Sequence, residues 1–122
     1  MPEFKPITLC HLGPSPNVPT ISTFVLKLET YLRIADIPYV EEFTFNHSSK
    51  GKMPYIKDDG NEVADSNFII SYLNKKFGKD LDKNLSPSER ASSLAFKRLI
   101  EENLYWTLVY FNWNVEKYRI DY

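Results

Sequence analysis

The sequence predicts an α/β domain over residues 1–78, a short linker over residues 79–86 and an all-α region over residues 87–122. Three observations lead to this prediction. In the first half, short apolar segments bounded by proline or glycine alternate with segments of helical spacing. An Asp-Gly pair at residues 59–60 separates two short apolar segments, which indicates an antiparallel hairpin. A capping box at Ser86 then begins a long helical segment.

The first three elements are a strand, a helix and a strand. Residues 7–12 form a short apolar run before Gly13, and this length is typical of a buried strand. Over residues 21–35, apolar side chains recur at steps of three and four, which predicts an amphipathic helix with Thr20 or Ser22 near its amino end. Residues 39–45 mix aromatic and β-branched residues with acids and predict the second strand.

The next elements are a hairpin and a second helix. Residues 46–52 are polar and too few to form a full helix with its caps. Residues 53–57 and 62–64 flank the Asp-Gly pair and predict two antiparallel strands. Asp65 and Ser66 then precede apolar residues at helical spacing. Gly78 ends that pattern, so the second helix is predicted to end there.

The all-α region begins with a strong start signal. Ser86, Pro87 and Glu89 combine an N-cap serine, a proline at the first helical position and a reciprocal glutamate. No stop signal follows for many turns, so we expect a helix of about 25 residues, about 38 Å long. Its last turns are apolar on nearly every side, which predicts burial against another surface. These residues are Leu104, Tyr105, Trp106, Leu108, Val109, Tyr110, Phe111 and Trp113.

Composition and charge exclude several classes of protein. The formal net charge is -1, so bulk charge predicts no attraction to nucleic acid or to an anionic membrane. Cys10 is the one cysteine, which excludes an internal disulfide, and His11 and His47 are too far apart in sequence to indicate a metal site. No apolar stretch approaches about 18 residues and no signal-peptide core is recognisable, so we expect a cytoplasmic protein without a membrane anchor in this chain.

Several segments carry a resemblance to a known family. They are FVLKLETYLRIADIPY (24–39), GKMPYI (51–56), DSNFII (65–70), LSPSERA (85–91) and EENLYWTLVY (101–110). The sequence resembles the thioredoxin-like N-terminal domain of glutathione transferases, and more closely its failed-axon-connections and metaxin-like branch. The resemblance implies a thioredoxin-like mixed sheet, with the second helix of that fold short or absent. The first long helix of an all-α C-terminal domain is implied to follow.

The resemblance implies a role for Ser22. Glutathione must be held as a thiolate to attack an electrophile, which needs a hydrogen-bond donor and a positive field at the sulfur. Ser22 lies where the family places its thiol-contacting serine or cysteine, beside the positive end of the first helix. Thr20 or Thr23 could supply the hydroxyl instead, and Ser22 could simply cap the helix. Val25 occupies the position of a resolving cysteine, so disulfide chemistry of the glutaredoxin type is not expected.

The resemblance also implies a glutathione site at two pairs of residues. Met53-Pro54 matches the family's cis-proline, beside which the backbone pairs with the cysteinyl part of glutathione, although a proline that only begins a strand is the alternative. Asp65 and Ser66 match the pair that binds the γ-glutamyl end, Ser66 its carboxylate and Asp65 its ammonium. Both residues could equally be helix caps. No metal cofactor is implied.

Two functions are consistent with these residues. The first is a glutathione transferase-like protein that binds glutathione as co-substrate and activates its thiol. We expect weak or no activity on that interpretation, because the all-α domain is expected to be truncated at Tyr122. The second is a non-catalytic interaction module that forms a homodimer or docks on a protein partner through residues 104–113. An ordered, groove-lining segment 46–52 favours the first function, and a collapsed or mobile one favours the second.

Overall fold

A four-stranded mixed sheet and two helices form the first part of the chain. The computed structural model describes residues 5–118. The chain divides into two compact units, one ending at Leu81 and one beginning at Asp82. The observed order β-α-β-β-β-α is the one predicted. The elements are β1 (Ile7–His11), α1 (Thr23–Ile34), β2 (Tyr39–Phe43), β3 (Tyr55–Asp58), β4 (Asn61–Ala64) and α2 (Ser66–Phe77).

The strands lie in the order β2-β1-β3-β4, with β1 parallel to β2 and antiparallel to β3. A parallel pair needs a crossover connection, and α1 supplies it. Tyr55 at the start of β3 lies opposite Cys10 in β1 and opposite Ala64 in β4. The carboxyl ends of β1 and β4 and the amino end of β3 therefore meet at one edge of the sheet.

The hairpin forms at the predicted Asp-Gly pair. Asp58 pairs with Asn61, and Asp59 and Gly60 between them have φ angles of 45° and 82°. Two consecutive positive φ angles give the turn that matches the right-handed twist of a two-residue hairpin. The strand β3 begins at Tyr55, two residues after the predicted start, because a proline at position 54 has no N–H to donate to the ladder.

The core of this unit joins the sheet to both helices. Alternate residues of β1 and the inward faces of α1 and α2 belong to one buried cluster. Its members are Ile7, Leu9, Leu28, Tyr31, Leu32, Ala35, Ile37, Ile56, Ile69 and Leu73. The helical pattern places Glu29 on the polar side of α1, but the structure buries it, and Glu41 of β2 interacts with its carboxyl group.

The second unit is helical from Pro87 to Asn114. It consists of α3 (Pro87–Leu99), a π-helical turn (Ile100–Leu104) and α4 (Tyr105–Asn114), followed by a 3₁₀ turn (Glu116–Tyr118). Ser86 and Glu89 form the predicted capping box, since the side chain of each accepts a hydrogen bond from the backbone N–H of the other. The long helix is thus confirmed, whereas the π-helical turn has no counterpart in the sequence prediction.

Apolar side chains of α4 are exposed on several sides. Trp106, Phe111 and Trp113 expose 59%, 44% and 52% of their surface, and no residue of α3, the π-helical turn or α4 is buried. A single helical segment cannot bury residues on all of its sides at once. Within residues 5–118, no helix is long and apolar enough to cross a membrane.

Candidate functional site

The four residues predicted to bind glutathione lie at the sheet edge where β1, β3 and β4 meet. Met53 and Pro54 come directly before β3, and Asp65 and Ser66 come directly after β4. Because β3 and β4 are neighbouring antiparallel strands, the two pairs lie side by side. The Met53–Pro54 peptide bond is cis, as expected, and Pro54 is buried while Met53 is half-buried.

Asp65 caps α2 and carries a negative charge at this edge. Its Oδ1 accepts a hydrogen bond from the Asn67 backbone N–H at 3.0 Å, and its Oδ2 accepts one from Lys52 Nζ at 3.2 Å. Burial would raise the pKa of the Asp65 carboxyl group, but the backbone hydrogen bond and Lys52 outweigh it and lower the pKa. The carboxylate is therefore ionised at neutral pH. With about four lone-pair positions, it can accept a further donor.

The backbone of Asp65 is in an uncommon conformation. Its φ and ψ angles are 76° and 121°, a combination that a non-glycine residue rarely adopts. Such a conformation costs of the order of 1–3 kcal/mol and persists where the surroundings hold it. Here the hydrogen bond to Asn67 and the contact with Lys52 hold it. Residues of this kind cluster at binding and catalytic sites, so the conformation is a reason to examine this edge for function.

Ser66 is the first residue of α2 and is only 5% exposed. Its Oγ accepts a hydrogen bond from Lys27 Nζ at 2.9 Å, and the same ammonium group donates to Asn67 Oδ1 at 2.8 Å. Lys27 belongs to α1, so this contact ties α1 to the amino end of α2. The positive end of the α2 dipole and the Lys27 charge together favour an anion beside Ser66.

Ser22 is the N-cap of α1, one of the two roles left open by the sequence. Its Oγ accepts a hydrogen bond from the Val25 backbone N–H at 3.3 Å, and its own N–H donates to Thr20 Oγ1 at 3.0 Å. A hydroxyl that accepts one hydrogen bond keeps its proton for another acceptor. Capping therefore leaves Ser22 able to donate to a sulfur placed beside the amino end of α1.

The segment 46–52 contains no helix, as expected, and it is ordered by hydrogen bonds. Gly51 N–H donates to the Ser48 carbonyl at 2.8 Å, and Lys52 N–H donates to Ser48 Oγ at 3.0 Å, which closes a turn. Ser48 is buried, and Ser49 N–H donates to Glu62 of β4 at 2.5 Å. This segment also contributes the Lys52 side chain to the edge that carries Asp65.

Lys27 and Lys52 are contacts of the candidate site that sequence reasoning missed. Lys27 lies among the polar positions of the α1 pattern, where a lysine ordinarily faces water. The contact of Lys27 with Ser66 joins residues 39 positions apart, so no local pattern marks it. Lys52 lies in a polar loop, and its hydrogen bond to Asp65 depends on how that loop is folded.

Cys10, a small residue inside β1, is buried. Burial raises the pKa of its thiol, so the group is protonated at neutral pH and is a poor nucleophile. Among the described residues, no group of three or more His, Cys, Asp or Glu side chains is arranged to hold a metal ion.

A second polar cluster lies inside the fold around His11. The Gly13 backbone N–H donates to His11 Nδ1 at 3.1 Å, which leaves Nε2 to carry the proton of a neutral ring and donate it to Glu41 Oε1 at 3.1 Å. Burial raises the pKa of Glu29, and a hydrogen bond with Glu41 raises it further. This chain of side chains joins β1, β2 and α1, and none of its members belongs to the predicted glutathione site.

The chain matches a family and several individual proteins. A model of the glutathione S-transferase N-terminal domain matches residues 23–118. An isoprene-epoxide–glutathione S-transferase from Rhodococcus is 45% identical over 107 residues, which cover 83% of this chain and 45% of the relative. The Failed axon connections protein of Drosophila melanogaster is 36% identical over 106 residues, which cover 85% of this chain and 25% of the relative. The chain thus spans less than half the length of either relative.

Solved structures share the fold of this chain. A beta-etherase from Sphingobium has a TM-score of 0.64 at 18% identity, with 93% of this chain and 51% of that chain covered. A glutathione transferase homologue from Drosophila mojavensis, solved with bound glutathione, has a TM-score of 0.52 at 23% identity, with 81% of this chain and 48% of that chain covered. The cis-proline, the order of elements and the family match agree, and the chain belongs to the glutathione S-transferase N-terminal domain family.

Proposed function

We propose that the chain binds reduced glutathione at the sheet edge that carries residues 53–54 and 65–66. The observation that supports this most is the buried Ser66 hydroxyl at the amino end of α2, in contact with the Lys27 ammonium. A carboxylate placed there receives hydrogen bonds from the helix terminus and a favourable charge interaction. In this proposal the γ-glutamyl carboxylate binds at Ser66, and its ammonium binds the ionised Asp65.

The remaining parts of glutathione follow from the positions of the other candidate residues. The backbone of Met53, next to the cis bond to Pro54, pairs with the cysteinyl residue in an extended conformation. Ser22 donates its hydroxyl proton to the sulfur and so stabilises the thiolate, aided by the positive end of α1. The ordered turn that holds Lys52 beside Asp65 supports a binding function for this edge.

The activity proposed for this site is activation of the glutathione thiol for attack on an electrophile. The Rhodococcus relative, named as an isoprene-epoxide–glutathione S-transferase, supports this activity through its 45% identity. The proposal concerns the site within this chain, and turnover depends on an electrophile being held beside the sulfur.

Titration of reduced glutathione into the full chain at neutral pH tests the proposal. We expect saturable binding that Ser66→Ala weakens by about 1–2 kcal/mol, because a charge-assisted hydrogen bond is lost. Ser71→Ala, an exposed serine on the same helix, is the matched control and should leave the affinity unchanged. Absence of binding to the unaltered chain, or equal affinity in the Ser66 variant, would contradict the site.

A second titration isolates the proposed role of Ser22. With bound glutathione, Ser22→Ala should reduce the thiolate absorbance in the ultraviolet while most of the affinity is retained. Ser22→Thr keeps both a hydroxyl and a capping oxygen and should behave as the unaltered chain. If the alanine variant forms as much thiolate as the threonine variant, Ser22 is a helix cap alone.

An interaction module is the second candidate function, and the exposed apolar side chains of α4 favour it. Trp106, Leu108 and Tyr110 expose 59%, 46% and 57% of their surface. Apolar surface of this kind marks association sites when it is contiguous. Glutathione binding without turnover, together with self-association, would favour this second function.

A further inference from the structure

Lys27 reaches from α1 to the amino end of α2 and holds two side chains there. Its Nζ lies 2.9 Å from Ser66 Oγ and 2.8 Å from Asn67 Oδ1. An ammonium group has three protons and no lone pair, so it can only donate. Both contacted oxygens are therefore acceptors. For the amide of Asn67, this assigns the oxygen toward Lys27 and leaves the NH₂ group as the part that donates elsewhere.

The same argument determines what the Ser66 hydroxyl can do. A serine oxygen near the start of a helix can accept or donate, and in many proteins it donates to a nearby backbone carbonyl. When an ammonium group donates to that oxygen, the single hydroxyl proton remains available for a different acceptor. Ser66 is only 5% exposed, so the group that accepts this proton has to enter the site.

We propose that Lys27 is a positioning residue for the carboxylate of the ligand: it orients the Ser66 hydroxyl and the Asn67 amide as donors and adds a positive charge beside them. This inference rests on the function proposed above and assigns to α1 a role in selecting an anionic end group. Lys27 acts on the ligand through Ser66 and Asn67, and it is distinct from Ser22, which lies on the same helix but is proposed to act on the sulfur.

The two lysines at the site contact different groups. Lys52 donates to the Asp65 carboxylate at 3.2 Å, and the Lys52 side chain is 56% exposed. The Lys52 charge is therefore paired with Asp65 and screened by water. Lys27 is half-buried, and its ammonium group donates to the oxygens of Ser66 and Asn67 at the amino end of α2. A ligand with both an ammonium and a carboxylate group then finds Asp65 for the first and the Lys27-oriented donors for the second.

The test compares two ligands and three forms of the full chain by NMR titration. The ligands are reduced glutathione and the same tripeptide with 4-aminobutanoyl in place of γ-glutamyl, which keeps the amine and lacks the carboxylate. Lys27→Met should weaken glutathione binding about tenfold and change the affinity for the carboxylate-free analogue less than twofold. Lys27→Arg keeps the charge and the donors, and it should restore binding to within about threefold of the unaltered chain.

The outcomes separate this inference from the proposal on which it rests. If the unaltered chain binds glutathione and Lys27→Met weakens both ligands equally, Lys27 only supports the fold, and the positioning role is wrong. Unchanged glutathione affinity in Lys27→Met overturns it as well. If the unaltered chain binds neither ligand, the proposed function is wrong and the positioning role falls with it. Thermal unfolding of each variant, without ligand, confirms that the compared proteins are folded.

Discussion

The Lys76 ammonium group of α2 donates to both carboxylate oxygens of Asp58 at the end of β3, at 2.6 Å to Oδ1 and 2.5 Å to Oδ2. The Tyr72 hydroxyl donates to the same carboxylate at 2.6 Å. The Asp58 side chain is 2% exposed and that of Lys76 is 24% exposed, so the pair is mostly removed from water. This contact secures the helix whose amino end carries Asp65 and Ser66.

Loss of the Lys76 charge should destabilise the fold. In Lys76→Met the buried Asp58 carboxylate keeps the Tyr72 hydroxyl as a donor but loses its ammonium partner, and an uncompensated buried charge costs about 3 kcal/mol. Urea unfolding at neutral pH measures the loss in free energy of unfolding. Lys75→Met, the exposed neighbour on the same helix, should change it by less than about 0.5 kcal/mol. Equal effects of the two substitutions would mean that the pair contributes nothing specific.

The Asp58 pair also predicts how stability depends on pH. Burial would raise the pKa of Asp58, but the hydrogen bonds from Lys76 and Tyr72 outweigh it and lower the pKa. A carboxyl group whose pKa is lower in the folded state adds stability above its unfolded pKa, near 3.9, and loses it as the pH falls through the folded value. The difference in free energy of unfolding between the unaltered chain and Lys76→Met should therefore become smaller below about pH 4. A difference in free energy of unfolding that stays constant down to pH 2 would contradict the lowered pKa of Asp58.

Two substitutions of Asp65 separate its charge from its capping role. Asn tolerates a positive φ and keeps an oxygen for the Asn67 N–H, so Asp65→Asn should lower the free energy of unfolding by less than about 1 kcal/mol. Asp65→Ala loses the cap in a backbone conformation that a plain side chain disfavours, so the expected loss is about 2 kcal/mol. Both should weaken glutathione binding about tenfold. An asparagine variant that binds as tightly as the unaltered chain would leave Asp65 as a cap alone.

Neutralising Glu29 should stabilise the protein at neutral pH. Burial and the hydrogen bond with Glu41 raise the pKa of Glu29, so its ionisation opposes folding as the pH rises above its unfolded value. In Glu29→Gln a permanently neutral amide can donate to Glu41, and we expect a gain of about 1 kcal/mol at pH 7. The gain should shrink as the pH falls and disappear well below about pH 4, where Glu29 is protonated in both states. Urea unfolding at the two pH values checks this, and a loss of stability at pH 7 would refute it.

The apolar surface of α4 should cause self-association. Trp106 is 59% exposed, and tryptophan is enriched among residues that dominate protein interfaces. Trp106→Asp should convert an oligomer to a monomer in sedimentation analysis, because a charge replaces the apolar anchor. Asn103→Asp adds the same charge at an exposed polar position and is the matched control. An identical sedimentation profile for the unaltered chain and both variants would show that Trp106 does not mediate self-association.

Local signals were sufficient for the elements of the first unit. Ser22 and Asp65 precede the two helices as caps, and Gly78 ends the second with a φ of 64°. The Asp-Gly pair formed the predicted turn between β3 and β4. Each of these signals acts through a hydrogen bond or a backbone preference within a few residues, which is why a single sequence reveals them. The predicted ends of the strands were less accurate, because pairing with a neighbouring strand decides where a strand ends.

The sequence by itself determined the order of elements, the resemblance to glutathione transferases and the candidate residues Ser22, Met53, Pro54, Asp65 and Ser66. Only the tertiary structure decided which lysine side chains contact these residues. Lys27 contacts Ser66 across 39 positions, and Lys52 contacts Asp65 through a folded loop. The same holds for Glu29, which a polar position in α1 would leave in water and which the structure buries near Glu41 of β2. The physical reason is that a charged side chain reveals its partner only when packing brings distant segments within hydrogen-bonding distance.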